Sequence, residues 1–184
     1  MPDDRVLNII DEAGKIIGEE TREKIHRLGL LHREVHVWFY TSKAEIIFQH
    51  RAKDKDTFPD LLDASVAGHV EIGDSPLETA LKEIEEEAGI KVKEKDLIFI
   101  GTIRNNSYDP ATGTTNNAAK LVYAYKYDDG LNNLKVEKGK GIGFEAWPLE
   151  KIFTLLPEDK KRFIPTILGK DILSVFREIQ KLIK

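Results

Sequence analysis

Three glutamates stand at helical spacing in the middle of the chain. Glu83, Glu86 and Glu87 are related by three and four residues, so on a helix they share one side and their like charges repel. A divalent cation would relieve this repulsion, and Mg²⁺ binds carboxylates, waters and substrate phosphate oxygens. Such a metal polarises phosphoryl groups and activates water, so the triplet predicts phosphate chemistry. A solvated acidic helix face is the alternative that the triplet alone leaves open.

The helix that carries these glutamates has clear boundaries in the sequence. Ser75 is a suitable N-cap, Pro76 suits the first helical position and Glu78 completes a capping box. Gly89 stands where a left-handed C-cap belongs. Apolar residues recur at helical spacing on another side of the segment: Leu77, Ala80, Leu81, Ile84 and Ala88. This pattern predicts an amphipathic helix that packs on a sheet.

Residues 68–90 resemble the Nudix box, which reads Gly, five residues, Glu, seven residues, then Arg-Glu-aliphatic-x-Glu-Glu-x-Gly-aliphatic. The matching positions fall in register without a gap: Gly68, Glu83, Ile84, Glu86, Glu87, Gly89 and Ile90. The resemblance implies that the three glutamates bind metal and serve catalysis, with the backbone carbonyl of Gly68 joining the metal shell. It also implies Mg²⁺, or Mn²⁺ in its place, and a small-molecule diphosphate substrate.

Two box positions depart from the family pattern. Asp74 stands where Glu is usual, and Lys82 stands where Arg is usual. In the family that Arg helps to hold the catalytic glutamates, and Lys keeps its charge but lacks the planar guanidinium fork. We expect the geometry of the box to survive, and the departures to affect the catalytic rate more than the fold.

A second resemblance points to the branch of this family related to type I isopentenyl-diphosphate isomerase, over about residues 5–155. It is carried by residues 32–38, 49–51, 55, 58–59 and 67–70. An isomerase is therefore the rival function. That branch has a catalytic Cys where this chain has Ala67, and a pair of Glu where residues 115–118 hold no acid. Because isomerisation needs these proton-transfer groups, we favour hydrolysis, and keep a non-catalytic binding module as a further alternative.

Histidines near the box are further candidates. By the same resemblance His69 matches a metal-binding residue of the isomerase; beside the box it contacts metal or phosphate, or simply hydrogen-bonds to backbone. His26, His32 and His36 are candidates for a three-histidine site. Their spacing is not a metal signature, and His36 falls in a strand pattern.

Two polar stretches are candidates for substrate contacts. Arg51, Lys53 and Lys55 form a basic loop after a strand, which either grips a diphosphate or is solvated. Residues 105–117 indicate a long polar loop between two strands, and long loops in compact domains are often functional. Tyr108 and Asn117 in this stretch are the substrate contacts we expect from it.

Many Nudix hydrolases carry a further glutamate outside the box, six residues before a tryptophan in a strand. Counting back from Trp147 reaches Gly141, so the register is not met. Glu137 and Glu145 lie nearby and are the candidates for this role.

Strands alternate with helices and turn-linked hairpins along the chain, which indicates a mixed α/β sandwich. The resemblance makes this a Nudix α/β/α sandwich, with a mixed sheet and the box helix on one face. We expect one domain over residues 1–184, with an N-terminal hairpin extension over about 1–30 and a C-terminal helix over about 160–184. Gly14 marks the turn of the hairpin.

The composition excludes several classes of function. The net charge of −4 argues against a stable nucleic-acid complex, and the absence of cysteine excludes disulfides and thiolate chemistry. No apolar run approaches the roughly 20 residues that span a bilayer, and the N-terminus lacks a signal-peptide core. We therefore expect a cytoplasmic protein without membrane contact. Many relatives are dimers, so a homodimer is a further expectation.

Overall fold

The computed structural model describes residues 5–55 and 57–183. The strands and helices in these ranges are, in chain order, β1 (Val6–Ile10), β2 (Ile16–Thr21), α1 (Arg22–Leu28), β3 (His32–Tyr40), β4 (Glu45–Arg51), β5 (Leu62–Asp63), β6 (Val66–His69), α2 (Pro76–Ala88), β7 (Leu97–Asp109), β8 (Thr114–Lys126), β9 (Gly141–Pro148), α3 (Leu149–Phe153), α4 (Pro157–Lys160) and α5 (Lys170–Leu182). Short 3-10 turns lie at Glu94–Asp96, Leu131–Asn133 and Pro165–Leu168.

One mixed sheet organises the chain after α1. Its strand order is β5-β4-β3-β8-β7, with β6 beside β3 and β9 beside β4. Strands β3 and β8 run parallel, whereas β3 pairs antiparallel with β4 and β6. The first two strands form a separate antiparallel hairpin. Gly14 turns that hairpin with a positive φ of 81°, as the sequence predicts.

Side chains of β3 alternate between the two faces of the sheet, and helices cover both faces. Val35 and Val37 pack in one core cluster with Ile84 of α2. Trp38 packs in the other cluster with Phe176 of α5, and their rings meet edge to face at 4.8 Å. The predicted α/β/α sandwich is therefore confirmed, with the box helix on one face and α5 on the other.

The ends of α2 follow the sequence signals. Ser75 and Glu78 form the reciprocal capping box, with hydrogen bonds of 3.2 and 2.8 Å. Gly89 ends the helix in the left-handed conformation at φ 69°. The apolar stripe enters the core through Ala80, Ile84 and Ala88. The buried stripe and the two caps fix how the helix lies on the sheet, and hence where its glutamates point.

The predicted loop over residues 105–117 is wrong. Strands β7 and β8 continue through this stretch and pair Asn106 with Asn117 and Tyr108 with Thr115. The turn itself is short and contains Gly113 at φ 68°. Residues 105–117 are partly or fully exposed, which suits their polar side chains, and Tyr108 is 66% exposed. Backbone pairing does not require apolar side chains, so polarity alone was a poor guide.

The two ends of the chain agree with the expected elements. Residues 21–30 contain α1, capped by Thr21 and ended by Gly29 at φ 63°. Helix α5 lies within the C-terminal helix expected over about 160–184, begins at Lys170 and buries a stripe against the sheet. Residues 1–4 of the expected extension and Lys184 of the expected helix lie outside the described residues. The division into domain and extensions stays a prediction.

Candidate functional site

Glu83 lies buried against Gly68. Its relative exposure is 9%, and its Oε2 has no hydrogen-bond partner among the described residues. Burial and the neighbouring charge of Glu87 raise the pKa of Glu83 to about 7. A Cβ on residue 68 would overlap the Glu83 carboxyl group, so only glycine leaves it room. A buried carboxylate oxygen without a partner, beside a glycine backbone, is an arrangement that fits a divalent cation.

Glu87 is the second buried glutamate of the helix. Its Oε2 accepts a hydrogen bond from the Ala67 N–H at 3.2 Å, and its Oε1 accepts one from Lys140 Nζ at 2.9 Å. The same ammonium lies 4.0 Å from Oε2 of Glu83. Burial raises the pKa of Glu87, although Lys140 opposes the shift. Lys140 therefore balances part of the negative charge that buried glutamates bring together.

Lys140 was not singled out from the sequence, because 53 residues separate it from Glu87. It lies just before β9, the strand that pairs with β4. Burial opposes the protonated form of Lys140, but Glu87 and Glu83 together raise its pKa. The charged ammonium is thus the stable form at neutral pH.

Glu86 and Lys82 lie on the exposed side of α2. The ammonium of Lys82 donates to both carboxylate oxygens of Asp74 at 2.7 and 2.8 Å. Lys82 therefore ties the loop before α2 to the helix, instead of holding the glutamates as the family Arg was expected to do. The two departures from the box are partners in one exposed ion pair, which contributes little stability.

Arg51 and Lys55 of the basic loop have different surroundings. The guanidinium of Arg51 donates to Asp63 at 3.0 Å and to the backbone oxygen of Thr57 at 2.8 Å, so it holds the loop in shape. Burial lowers the pKa of Lys55, and the charges of Arg51 and Lys140 lower it further. Two ammonium groups near the same glutamates are a favourable place for phosphate oxygens.

The two glutamates outside the box have different surroundings. Glu137 Oε2 lies 3.4 Å from Lys140 Nζ, so it belongs to the same charge group as the box. Glu145 instead forms a two-pronged pair with Arg162 at 2.6 and 2.9 Å and accepts from Trp147. Of the two candidates, Glu137 is therefore the one near the box.

Three histidines meet on the opposite side of β6 from Glu83. They are His26 of α1, His32 of β3 and His69 of β6, and each offers a ring nitrogen within 4.8 Å of the other two. The Nε2 atoms of His26 and His69 are 3.0 Å apart. The set expected from the sequence had His36 in place of His69, so that membership is corrected. His36 lies beyond Glu34 along β3, with Ala67 as its partner on β6.

The protonation of these rings suits metal binding. His32 Nδ1 lies 3.0 Å from the backbone oxygen of Leu30, and its buried Nε2 is without a partner in the described part of the chain. A ring that donates through Nδ1 carries its lone pair on Nε2, which is the form that binds metals. Burial lowers the pKa of His26 to about 4 and that of His69 well below its usual range. Burial therefore favours the neutral, ligating form of His26 and His69.

Glu34 adds a carboxylate to the histidine cluster. Its Oε1 lies 3.3 Å from His69 Nε2 and accepts a hydrogen bond from Asn116 at 3.0 Å. Burial opposes its ionisation, but the imidazoles of His32 and His36, whose Nε2 atoms lie 3.6 and 3.8 Å from its oxygens, and the charge of Lys120 hold its pKa well below the usual range. Glu34 was not a candidate in the sequence analysis, because the role of an acid inside a strand depends on the residues that the fold brings next to it.

The remaining substrate candidates lie toward the β7–β8 hairpin. Asn117 donates to the backbone oxygen of Gly29 at 2.9 Å and accepts from Arg104 at 3.1 Å, so it connects the hairpin to the end of α1. Tyr108 is exposed near the hairpin turn. Their role as substrate contacts stays a prediction.

Strand β6 joins the two clusters. Gly68 faces Glu83 on the side of α2, whereas the next residue, His69, faces His26 and Glu34 on the other side. Ala67 holds Glu87 through its backbone and pairs with His36 across the strand. Alternation along one short strand thus places a carboxylate site and a histidine site back to back.

The protein is an α/β/α sandwich in which helix α2 carries a carboxylate site formed by Glu83, Glu87 and the backbone of Gly68. Comparison with known proteins shows the family of this chain. The sequence profile described as NUDIX domain matches residues 30–167. The chain belongs to this family. Among the residues that the structure describes, no helix is long and apolar enough to cross a membrane.

Relatives in sequence carry Nudix names. An uncharacterized Nudix hydrolase of Clostridium acetobutylicum is 38% identical over 105 residues, which are 55% of this chain and 50% of that protein. Nudix hydrolase 3 of Arabidopsis thaliana is 37% identical over 100 residues, 51% of this chain and 13% of that protein. The chain thus spans about half or less of the length of these relatives.

Solved structures with low sequence identity share the fold. DR0079 from Deinococcus radiodurans has a TM-score of 0.67 and 19% identity, covering 95% of this chain and 98% of its own. The NUDIX domain of Shewanella oneidensis NrtR, solved with ADP ribose, has a TM-score of 0.55 and 15% identity, covering 84% and 88%. At this identity the likeness concerns the fold alone.

Proposed function

We propose that this protein is a divalent-metal-dependent Nudix hydrolase that cleaves the diphosphate bond of a small molecule, a nucleoside diphosphate derivative or a related compound. The observation that carries the proposal is the buried Oε2 of Glu83, which lacks a hydrogen-bond partner in the described ranges and lies next to Glu87 and Gly68. The family and its Nudix hydrolase relatives support the same reaction class.

Mg²⁺, or Mn²⁺ in its place, is the cation we propose for this site. Glu83, Glu87 and the backbone of Gly68 would hold it, with Glu86 reaching from the exposed side. When bound, such a cation polarises a phosphoryl group and lowers the pKa of a water. The donor set consists of oxygens alone, as hard divalent cations prefer.

The chain supplies the remaining chemistry through its own side chains. Water adds its oxygen to phosphorus while the bridging P–O bond breaks, so the water must lose a proton and the leaving phosphate gains negative charge. We assign the proton to Glu86, because this glutamate is exposed whereas Glu83 and Glu87 are buried. Lys55 and Lys140 neutralise the phosphate oxygens, and this role matches their proximity to Glu87.

The histidine cluster is a candidate for a second metal centre in the same protein. His26, His32 and His69 present neutral nitrogens toward one another, and Glu34 adds a carboxylate beside them. Imidazole nitrogen suits Zn²⁺ and other transition metals more than Mg²⁺. The two centres are therefore expected to differ in the metal they select.

An isomerase of the isopentenyl-diphosphate type is the second candidate function. The presence of His69 in the cluster favours it, because the sequence resemblance gives this residue as a metal ligand of that branch. Ala67 disfavours it, because its methyl group can neither donate nor accept the proton that isomerisation moves. A cytoplasmic location, a homodimer and independence from nucleic acids and membranes stay predictions.

The test compares two adjacent glutamates of α2. Glu86→Gln removes the proposed base, whereas Glu85→Gln changes a neighbouring exposed acid that pairs with Lys91 at 3.1 Å. Phosphate and pyrophosphate release from a panel of diphosphate compounds is measured with Mg²⁺. We expect Glu86→Gln to lower turnover by about 100-fold or more and Glu85→Gln to change it less than about twofold.

Each other outcome changes the assignment. Unchanged turnover and Mg²⁺ dependence in Glu86→Gln would remove Glu86 from the mechanism. No release from any compound by the wild type would reject the hydrolase for these substrates. Interconversion of isopentenyl and dimethylallyl diphosphate without phosphate release would establish the isomerase, and saturable binding without turnover would establish a binding module.

A further inference from the structure

A cavity of about 60 Å³ lies between the sheet and the start of α5. It opens on the face of β3 that carries Trp38, which is opposite to the face covered by α2. Hydrogen-bonding and charged groups converge on it from the sheet and from the C-terminal segment: His36, Arg104, Asn105, Lys120, Thr166 and Asp171. Three isoleucines and Gly169 form the rest of its wall, so the cavity combines a few polar groups with an apolar lining.

Lys120 brings a cation to the wall of this cavity. The residue is 8% exposed, and its ammonium lies 3.8 Å from Glu34 Oε2, which is too far for a hydrogen bond. Glu34 already interacts with Asn116 and with histidines, so it does not depend on Lys120 alone. A buried ammonium with only a distant counter-ion gains stability from a further anion.

His36 provides a second buried group. The residue is 5% exposed, and its Nδ1 has no hydrogen-bond partner within residues 5–55 and 57–183. A buried ring nitrogen of this kind loses its interaction with water without replacement. Because His36 lines the cavity, an occupant that hydrogen-bonds to the ring would satisfy it.

The first turn of α5 completes the site. This helix has 13 residues, and its N-cap Gly169, which lines the cavity, contributes no side-chain hydrogen bond within the described chain. Free N–H groups and the helix dipole at such an end favour a negatively charged group. Arg104 adds a guanidinium, which also pairs with Glu12 at 3.0 Å.

Acidic groups face the cavity too, but they leave room for an anion. Asp171 is exposed, so its charge is screened by solvent, and Glu12 is occupied by Arg104. Glu34 lies behind Lys120 and contacts it only at 3.8 Å. Within the described residues, the groups around the cavity that lack a close side-chain partner are the ammonium of Lys120, Nδ1 of His36 and the first amides of α5.

We propose that this cavity binds an anionic group, a phosphate or a carboxylate, held by Lys120, His36 and the N-terminal turn of α5. Its wall residue His36 is the cross-strand partner of Ala67, whose N–H holds Glu87. The anion is either an acidic group of the substrate, outside the cleaved bond, or free phosphate. That assignment of the occupant rests on the proposed hydrolase, whereas the anion site itself does not.

The test titrates the full chain with inorganic phosphate by calorimetry, without divalent metal, so that the carboxylate site does not take part. Lys120→Met removes the buried cation. Thr166→Glu places a carboxylate at the partly exposed rim without altering the Lys120–Glu34 pair, and it keeps the test valid if Lys120→Met fails to fold. Lys126→Met is the matched control, because Lys126 lies on the same strand, is 57% exposed and pairs with Asp128.

We expect millimolar phosphate binding by the wild type, weakened about tenfold or more by Lys120→Met and Thr166→Glu and less than about twofold by Lys126→Met. Binding in Glu86→Gln should equal that of the wild type, so a failed hydrolase assay leaves this result intact. The proposal is overturned if the wild type shows no saturable binding up to about 50 mM. It is equally overturned if both cavity variants bind phosphate as the wild type does.

A kinetic arm separates the two sources of the anion. If the group belongs to the substrate, Lys120→Met raises the KM of diphosphate compounds that carry a second phosphate or a carboxylate, and spares neutral analogues. If free phosphate is the occupant, Lys120→Met leaves the KM of acidic and neutral substrates unchanged. Added phosphate then alters the turnover of the wild type but not that of the variant. Either pattern supports the site and names its occupant.

Discussion

The two sides of β6 carry clusters in which a buried glutamate has opposite shifts of its pKa. On the side of α2, Glu83 is buried with another acid beside it, and its pKa is raised to about 7. On the other side, Glu34 is buried among imidazoles and Lys120, and its pKa is held well below the usual range. Burial alone disfavours both charges, so the neighbours decide the outcome. Glu83 can therefore lose its proton when a cation binds, whereas Glu34 stays ionised.

The largest expected effect tests how closely the carboxylate side is fitted. Gly68→Ala should lower turnover about 100-fold or more, because the new methyl group overlaps the Glu83 carboxyl and must displace it. Gly143→Ala is the control, since a Cβ there meets nothing within 4 Å in the described chain. Steady-state kinetics with circular dichroism measures both variants. Normal turnover in Gly68→Ala would mean that the position of Glu83 is not critical.

The second prediction concerns the pH dependence of stability without metal. The folded-state pKa of Glu83 is about 7 against 4.5 for the free side chain. The contribution of Glu83 to the free energy of unfolding is therefore fully present below pH 4.5 and is lost as the pH rises through about 7. Glu83→Gln mimics the protonated form, so the variant and the wild type should be equally stable near pH 4.5 and diverge above it.

Urea unfolding in EDTA at several pH values measures this divergence. We expect Glu83→Gln to be the more stable protein by about 3 kcal/mol at pH 8, which is the free-energy equivalent of the pKa difference. The opposite shift of Glu34 is common to both proteins and cancels in the comparison. A constant difference across the pH range would show that Glu83 does not titrate as described.

The third prediction addresses the histidine side. His32→Asn should weaken Zn²⁺ or Mn²⁺ binding about tenfold or more, because it removes a buried nitrogen that faces the other two rings. His50→Asn is the control, since His50 pairs with Asp60 outside the cluster. The titration is made in the Glu83→Gln background to weaken the carboxylate site. Equal affinities in the two histidine variants would exclude a metal centre at the cluster.

The smallest effect is expected for the exposed ion pair of the box. Lys82→Arg restores the family residue, but its partner is Asp74, and the side chain of Lys82 is 58% exposed. Stability should change by less than about 0.5 kcal/mol and turnover by less than about twofold. A large gain in turnover would show that residue 82 acts on the glutamates of α2. The environment of those glutamates would then differ less from that of Glu34 on the other side of β6.

Sequence reasoning succeeded where the relevant residues are neighbours along the chain. The caps and the apolar stripe of α2 follow from local rules, and so do its bounds. The β7–β8 hairpin was missed near its turn, because pairing between Asn106 and Asn117 depends on backbone register and not on an apolar pattern. Long antiparallel strands with polar ends resemble loops when only composition is considered.

The residues of the site also fall into those that are neighbours along the chain and those that only the fold brings together. Gly68 and the three glutamates are recognisable because they occupy one continuous motif. Lys140 comes from the approach to β9, and the histidines come from α1, β3 and β6, so their meeting depends on the assembled sheet. His36 was grouped with His26 and His32 because it is close in sequence, yet the cross-strand pairing of Glu34 with His69 selected a different partner.

Strand β6 also constrains how this protein can change over time. A single inserted residue would reverse the sides that Gly68 and His69 face, and one mutation would then damage both clusters at once. Lengthening the loops on either side of the strand carries no such double penalty. Directed evolution for a new substrate should therefore leave residues 66–69 intact and place its diversity in the surrounding loops, where each centre can be altered without the other.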